Sequence, residues 1–267
     1  MTSSNPPVLF IHGLYLTPLS WEHWIERYRA RGLEVSAPAW PGLEASPEEL
    51  RRDPTPIAKL KVEAVLDHYE RIIRAMDRPP IIVGHSFGGG FTQVLLSRGL
   101  GAVGVGIDPA QVRGVYRLPF STLKANWGLL SNPLFRHTAV MPTARQFHYS
   151  FGNTLSEADS QAAYERYCVP GSRNVIFTGA NANLNPGTPM KVDFKKPDRA
   201  PFLFIAGGKD HVVPASVNRE NFGKYRNSPA VTAYKEYPDR SHFTFGEPGW
   251  EEVADYAIEW ALSPRAG

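Results

Sequence analysis

Cysteine is almost absent from this sequence: Cys168 is the single cysteine among 267 residues, so no disulfide can form within the chain. The chain also lacks an apolar run of the roughly 18 residues that a transmembrane helix requires. Its start, MTSSNPPVLF, has neither the basic flank nor the long apolar stretch of a secretory signal. We therefore expect a cytoplasmic protein without a membrane span, in which Cys168 is a small buried side chain.

Neither sign of charge dominates the sequence. The 29 Lys and Arg residues and the 26 Asp and Glu residues leave a net charge of +3, and no block of basic residues stands out. Because binding to nucleic acid depends on Lys and Arg clustered beside phosphates, we do not expect a nucleic-acid partner.

Short aliphatic segments alternate with amphipathic segments along much of the chain, which is typical of parallel βα units in a single α/β domain. The spacing predicts about six mostly parallel strands flanked by helices. The predicted strands include Val8–Ile11, Leu33–Ala37, the segment 80–84, Ala102–Asp108, Pro201–Gly207 and Val231–Tyr237. The predicted helices are Leu19–Gly32, Ile57–Met76, Phe87–Arg98, Ser216–Tyr225 and Trp250–Leu262.

The alternation is lost between residues 110 and 199, where aromatic residues and turn clusters such as TGANANLNPGTP dominate. A loop of this length without structure would be unusual in a compact domain, so we expect short helices with a small core of their own. The sequence therefore predicts a core in two parts, residues 1–109 and 200–267, with a helical cap (110–199) inserted after the strand that ends at Asp108.

The stretch IIVGHSFGGG places a serine between glycines, directly after a predicted strand and at the start of a predicted helix. In a sharp strand-to-helix turn, side chains two residues before and after Ser86 would collide, and Gly84 and Gly88 remove that collision. The backbone N–H of Phe87 would then lie at the positive end of the helix, where it favours an oxyanion. A serine at this position can also simply cap the helix.

This Gly-His-Ser-Phe-Gly segment resembles the nucleophile elbow of the α/β-hydrolase superfamily. A serine hydroxyl needs a base, and the base needs an orienting carboxylate; in this family both follow the serine, in the order Ser, acid, His. The segment FIAGGKDHVVP resembles the acid loop and YPDRSHFTF the histidine loop. The resemblance implies Ser86 as the nucleophile, Asp210 as the acid and His242 as the base. Asp108 is the main rival to Asp210, because some members carry the acid on that earlier strand.

The segment FIHGLYL resembles the family's His-Gly loop. This implies that the Leu14 amide is the second oxyanion donor beside that of Phe87, with Tyr15 as the fallback. We give His12 no role in proton transfer. A pairing of His12 with His85 would be a weak metal site, since no carboxylate or cysteine stands at ligand spacing, and we predict no metal and no cofactor.

The resemblance implies a serine esterase or lipase-like enzyme that hydrolyses a small-molecule ester. Cap windows such as TARQFHYSFGNT hold more aromatic than charged residues, which favours an apolar acyl or alcohol group. Trp40, Trp127 and Phe147 are the predicted substrate contacts. The alternatives are a lactonase or other acyl hydrolase, a perhydrolase as the weaker option, and a ligand receptor with slow turnover or none. The sequence does not indicate an oligomeric state.

Overall fold

The structure is a computed structural model that describes residues 5–122, 124–125 and 136–266. Its strands are β1 (Val8–Ile11), β2 (Val35–Ser36), β3 (Ile81–His85), β4 (Val103–Ile107), β5 (Ala139–Val140), β6 (Gly171–Ser172), β7 (Phe202–Gly207) and β8 (Thr232–Tyr237). Its described α-helices are α1 (Glu22–Ala30), α2 (Pro47–Arg52), α3 (Thr55–Ala58), α4 (Val62–Arg74), α5 (Phe87–Ser97), α6 (Ala144–Ser150), α7 (Glu157–Tyr167), α8 (Arg173–Ala180), α9 (Ala215–Lys224) and α10 (Trp250–Leu262).

Six strands form the main sheet in the order β2-β1-β3-β4-β7-β8, and each neighbouring pair is parallel. The predicted fold class, an α/β-hydrolase fold with a mostly parallel sheet flanked by helices, is confirmed. From β1 the chain passes to β2 on one side of the sheet and to β3 on the other. The carboxyl ends of β1 and β3 therefore flank a point where strand order reverses, the usual place for a site in an open α/β sheet.

The sheet is built from continuous aliphatic and aromatic runs because helices cover both of its faces. Every residue of β1, β3, β4 and β7 is buried. The edge strand β8 differs, since four of its six residues are only half-buried. The strands next to the reversal of strand order thus lie in the fully buried part of the sheet.

Two predicted helices differ from those observed. The predicted helix 57–76 is split into α3 and α4, because Lys61 takes an extended conformation (φ −113°, ψ 152°) and caps the second helix. The predicted helix 19–32 begins instead as a 3-10 turn at Pro18–Trp21 and continues as α1. Ile57 and Leu60, which lie just before this break, are both buried.

Between β4 and β7 the described residues contain helices α6, α7 and α8 and the antiparallel pair β5-β6. The division into a core and an inserted cap at residues 110–199 stays a prediction. Among the described helices, none is long and apolar enough to pass through a bilayer. The cytoplasmic location also stays a prediction.

Candidate active site

Ser86 lies in the turn between β3 and α5, with φ 52° and ψ −119°. L-residues rarely adopt this conformation, so the surrounding structure must impose it. A Cβ on Gly84 would lie 2.2 Å from the carbonyl oxygen of Gly88, and one on Gly88 would lie 2.2 Å from that of Ile11. Glycine is therefore required at both positions for the sharp turn that presents the hydroxyl.

The structure connects Ser86, His242 and Asp210 by hydrogen bonds. His242 Nε2 lies 3.0 Å from Ser86 Oγ, and His242 Nδ1 lies 2.6 Å from Asp210 Oδ2. The other carboxylate oxygen of Asp210 accepts the backbone N–H groups of Val212 (2.6 Å) and Val213 (2.9 Å). All three side chains are buried, and Ser86 is 4% exposed. The carboxylate is thus held on both oxygens and aimed at the imidazole.

A buried clamp that sequence reasoning missed holds the loop of His242. The N–H of Ser241 donates to Glu247 Oε1 at 2.7 Å, and the hydroxyl of Ser241 contacts the same oxygen and the carbonyl oxygen of Phe151. The Phe151 ring meets the His242 ring edge-on at 4.9 Å. The contacts join a loop after the last strand to a residue far away in sequence, so no periodic pattern could reveal them.

Asp108, the rival acid, lies close to this group but bonds elsewhere. Its Oδ1 accepts the N–H of Gly207 at 2.6 Å, whereas its Oδ2 has no hydrogen-bond partner among the described residues. Burial, together with the negative charge of Asp210, raises the pKa of Asp108 well above its usual value. Asp210, and not Asp108, is therefore the carboxylate that the fold brings into a hydrogen bond with His242.

His85, Asp108 and His242 offer possible metal-ligand atoms within 4.8 Å of one another. However, His242 already uses both ring nitrogens, for Ser86 and Asp210, and His85 Nε2 lies 2.9 Å from the carbonyl oxygen of His242. A metal ion here would have to break these contacts. Burial and, to a smaller extent, the nearby His242 keep the pKa of His85 well below its usual value.

The His-Gly loop after β1 passes directly against the elbow. A Cβ on Gly13 would lie 2.8 Å from His85 Nδ1 and 3.0 Å from Ser86 Cβ. Among the described residues, the backbone N–H groups of Leu14 and Phe87 donate no hydrogen bond to a backbone carbonyl. The two predicted oxyanion donors thus have no backbone acceptor among the described residues.

His12 has a structural place behind this loop. Its Nε2 accepts the N–H of Trp40 at 3.2 Å, its Nδ1 lies 2.9 Å from the carbonyl oxygen of Gly13, and the Trp40 ring stacks on it at 4.9 Å. Burial lowers the pKa of His12 from 6.5 to about 4, although the bond to Gly13 opposes the shift. His12 is therefore neutral at physiological pH, and protonation would break its bond to Trp40.

This lowered pKa predicts an acid-sensitive stability. Since the unfolded chain protonates His12 near pH 6.5 and the folded chain near pH 4, stability is complete above pH 6.5 and falls as pH decreases toward 4. We expect His12 to contribute a slope of up to about 1.4 kcal/mol per pH unit to the free energy of unfolding in this range. Urea unfolding at several pH values should show a shallower slope for His12→Gln, whose amide can still accept from Trp40. Equal slopes for the two proteins would refute this linkage.

Two cavities meet at Val212, which lines both. The smaller cavity, about 250 Å³, opens onto Ser86. Its remaining lining residues are Phe87, Ala110, Gln111, Leu118, Thr122, Ile176, Gly179, Ala180, Val212 and Val213. The larger cavity, about 470 Å³, has Tyr15, Phe147 and Phe151 in its wall. We refer to them below as the serine cavity and the larger cavity.

The predicted substrate contacts fall in three different places. Phe147 lines the larger cavity, where its ring stacks on that of Phe151 at 5.0 Å. Trp40 is buried against His12 and Phe91 and lines neither cavity, because its ring fills the space behind the His-Gly loop. Trp127 lies outside the described residues. Sequence reasoning did not identify Val212 or Ile176, whose small aliphatic side chains carry no distinctive signal.

Comparisons with known proteins identify the family and the fold. The model of the Alpha/beta hydrolase family matches residues 8–256. A search of curated proteins found no match.

Among solved structures, an extracellular alpha/beta-hydrolase from a Paenibacillus species is 21% identical, with 97% of this chain and 100% of that chain covered and a TM-score of 0.68. The monoacylglycerol lipase of Paleococcus ferrophilus is 19% identical, with 97% and 96% covered and a TM-score of 0.66. A pyrethroid hydrolase from Sphingobium faniae is 16% identical, with 97% and 98% covered and a TM-score of 0.67. At these identities, the likeness is one of fold.

Proposed function

The chain belongs to the alpha/beta hydrolase family, and on that premise we propose that it is a serine hydrolase that cleaves carboxylic esters of small, mainly apolar substrates. The observation that carries the proposal is the hydrogen-bonded series Ser86, His242 and Asp210 at the edge of a cavity. The compared proteins, two hydrolases and a lipase, are consistent with this chemistry.

In the proposed mechanism Ser86 Oγ attacks the ester carbonyl while His242 Nε2 takes its proton. His242 then passes this proton to the departing alcohol. In the second half of the reaction His242 takes a proton from water, the water oxygen attacks the acyl group, and the proton returns to Ser86 Oγ as the acid leaves. Asp210 fixes the tautomer with the proton on Nδ1 and stabilises the imidazolium as it forms. The two backbone donors to its Oδ1 keep the carboxylate pointing at the ring.

Charge develops on the carbonyl oxygen during attack, and in this mechanism the N–H groups of Leu14 and Phe87 donate hydrogen bonds to it. Phe87 is the first residue of α5, so the helix dipole adds to its donor strength. Both donors are held by the fold before substrate arrives, which makes their stabilisation of the oxyanion effective.

The serine cavity favours an apolar group. Ala110, Leu118, Ile176 and Val213 contribute to its wall, and no Asp, Glu, Lys or Arg lines it among the described residues. Its volume of about 250 Å³ limits the group bound beside Ser86 to a short or medium chain or one aromatic ring. The larger cavity leaves space for the other part of the ester.

A series of 4-nitrophenyl esters of increasing acyl length tests this proposal. We expect kcat/KM to rise with each added methylene, because each contributes about 0.8 kcal/mol when buried, and to fall once the cavity is full. A lactone and an anilide should be assayed beside the esters, and the anilide should react far more slowly. Binding of the esters without turnover would instead favour a receptor, and a clear preference for the lactone would favour a lactonase.

A further inference from the structure

One part of the predicted cap carries charge of a single sign. Residues 110–156 contain five Lys and Arg residues and no Asp or Glu, although the whole chain has a net charge of only +3. The five are Arg113, Arg117, Lys124, Arg136 and Arg145. A segment with one sign of charge beside an active site attracts ligands of the opposite sign.

Two of these cations line the larger cavity. Lys124 and Arg145 are both in its wall, and no Asp or Glu is among its described lining residues. Lys124 Nζ lies over the ring of Tyr149, 4.2 Å from its centroid, a contact that leaves an ammonium free to bind an anion. Apolar side chains such as Phe147 and Phe151 form much of the remaining wall, so a bound anion would be partly shielded from water.

Among the described residues, no carboxylate neutralises these two cations. Neither Lys124 nor Arg145 forms a salt bridge within the part of the chain that the structure describes, and residues 126–135 contain no Asp or Glu in the sequence. Arg145 also borders a shallow depression that contains Glu157, without a salt bridge between them. Within the described residues, two cations without a salt bridge thus line a cavity that has no Asp or Glu in its wall.

The larger cavity adjoins the reacting atoms. Val212 lines both cavities and donates its N–H to Asp210, and Phe151 contacts the His242 ring. A substrate bound with its carbonyl at Ser86 and an apolar group in the serine cavity would extend its other part into the larger cavity.

Resting on the proposed function, we propose that the larger cavity binds a negatively charged group, carried on the part of the ester remote from the serine cavity. The preferred substrate is then an ester with one apolar part and one anionic part, of which a carboxylate is the simplest example. Lys124 and Arg145 are the residues that determine this specificity. Since both are exposed, their attraction for the anion should weaken as salt concentration rises.

The test compares neutral and anionic esters of matched size. One pair places the charge on the alcohol (4-acetoxybenzamide and 4-acetoxybenzoate), and the other places it on the acyl group (4-nitrophenyl valerate and 4-nitrophenyl hemiglutarate). The variant is Lys124→Gln with Arg145→Gln. The control, Lys59→Gln with Arg226→Gln, removes the same charge at exposed positions outside both cavities.

We expect the wild-type protein to prefer the anionic member of at least one pair. The cavity variant should lower kcat/KM for that ester by about ten-fold, mainly through KM, and change the neutral ester by less than about two-fold. The control variant should keep the preference, and added salt should reduce it in the wild type.

The proposal is wrong if neutral esters are hydrolysed well and neither anionic ester is preferred, or if both double variants act alike. It is also wrong if Lys124→Gln with Arg145→Gln weakens binding to anionic phospholipid vesicles but has the same preference between soluble esters as the wild type. Failure of every ester, neutral or charged, would instead overturn the proposed function itself, so the two failures can be told apart.

Discussion

Ser86→Ala is expected to lower kcat for an activated aryl ester by about 10⁴-fold or more, because removing the nucleophile of a triad removes nearly all of its catalysis. The folded structure should persist, since alanine at the same backbone conformation loses only an oxygen atom that contacts His242. Initial rates on 4-nitrophenyl acetate, with melting temperatures measured in parallel, provide the test. Ser263→Ala, at an exposed serine near the end of the last helix, is the matched control.

A loss of activity together with a large drop in melting temperature would leave the role of Ser86 to be judged by Ser86→Cys, which keeps a nucleophilic atom. Slow but measurable acylation of that thiol is expected. Full activity in folded Ser86→Ala would contradict the assignment.

Asp210→Asn is expected to lower kcat by about 10⁴-fold, because an amide beside His242 Nδ1 favours the wrong imidazole tautomer. Asp108→Asn should change kcat far less, since the asparagine oxygen can still accept the N–H of Gly207. The two variants form a matched pair: each replaces one buried carboxylate with an amide of nearly the same size. The measurement is kcat for each on the same ester, with circular dichroism to verify folding.

Asp108→Asn should also alter the dependence of stability on pH. Because the pKa of Asp108 is raised in the folded state, its contribution to stability is present below about pH 3.8 and is lost as the pH rises toward the raised value. Because asparagine does not titrate, the stability of Asp108→Asn should not show this decrease with rising pH. If Asp108→Asn proved the more damaging to catalysis, the acid would belong to the earlier strand.

The sequence predicted the site better than it predicted the surroundings. Gly84 and Gly88 could be interpreted from the sequence because steric collision in a tight turn excludes other residues, and a Cβ at either position would lie 2.2 Å from a carbonyl oxygen. Asp210 and His242 were named because their loops resemble those of the family, and both residues also follow strands whose carboxyl ends meet at one edge of the sheet. The steric limits of the turn therefore account for the two glycines without any knowledge of the tertiary structure.

The cavity walls depend on tertiary packing and could not be deduced in the same way. Trp40 was predicted to contact substrate, yet it stacks behind the His-Gly loop on His12. Phe151 was one aromatic among many in the cap, and its contact with His242 depends on the clamp at Ser241. Helix phase in an irregular insertion is set by what it packs against, which a single sequence does not contain.

The distribution of charged residues along the chain indicates an anion-binding region that the net charge does not. With a net charge of +3 for the whole chain, the lack of Asp and Glu in residues 110–156 is invisible until the segment is considered by itself. The structure then separates an apolar cavity at Ser86 from one lined by Lys124 and Arg145. The predicted preference for an apolar group therefore concerns only one part of the substrate.

Covalent labelling with a fluorophosphonate tests the central claim most directly, because this reagent reacts with a serine only when a base activates it and an oxyanion hole accepts its oxygen. One label per chain is expected, located on Ser86 by peptide mass spectrometry, with loss of ester hydrolysis in proportion to labelling. His242→Ala should abolish the labelling while Ser86 remains present. A label on another serine, or no label on a folded protein that still hydrolyses esters, would contradict the account.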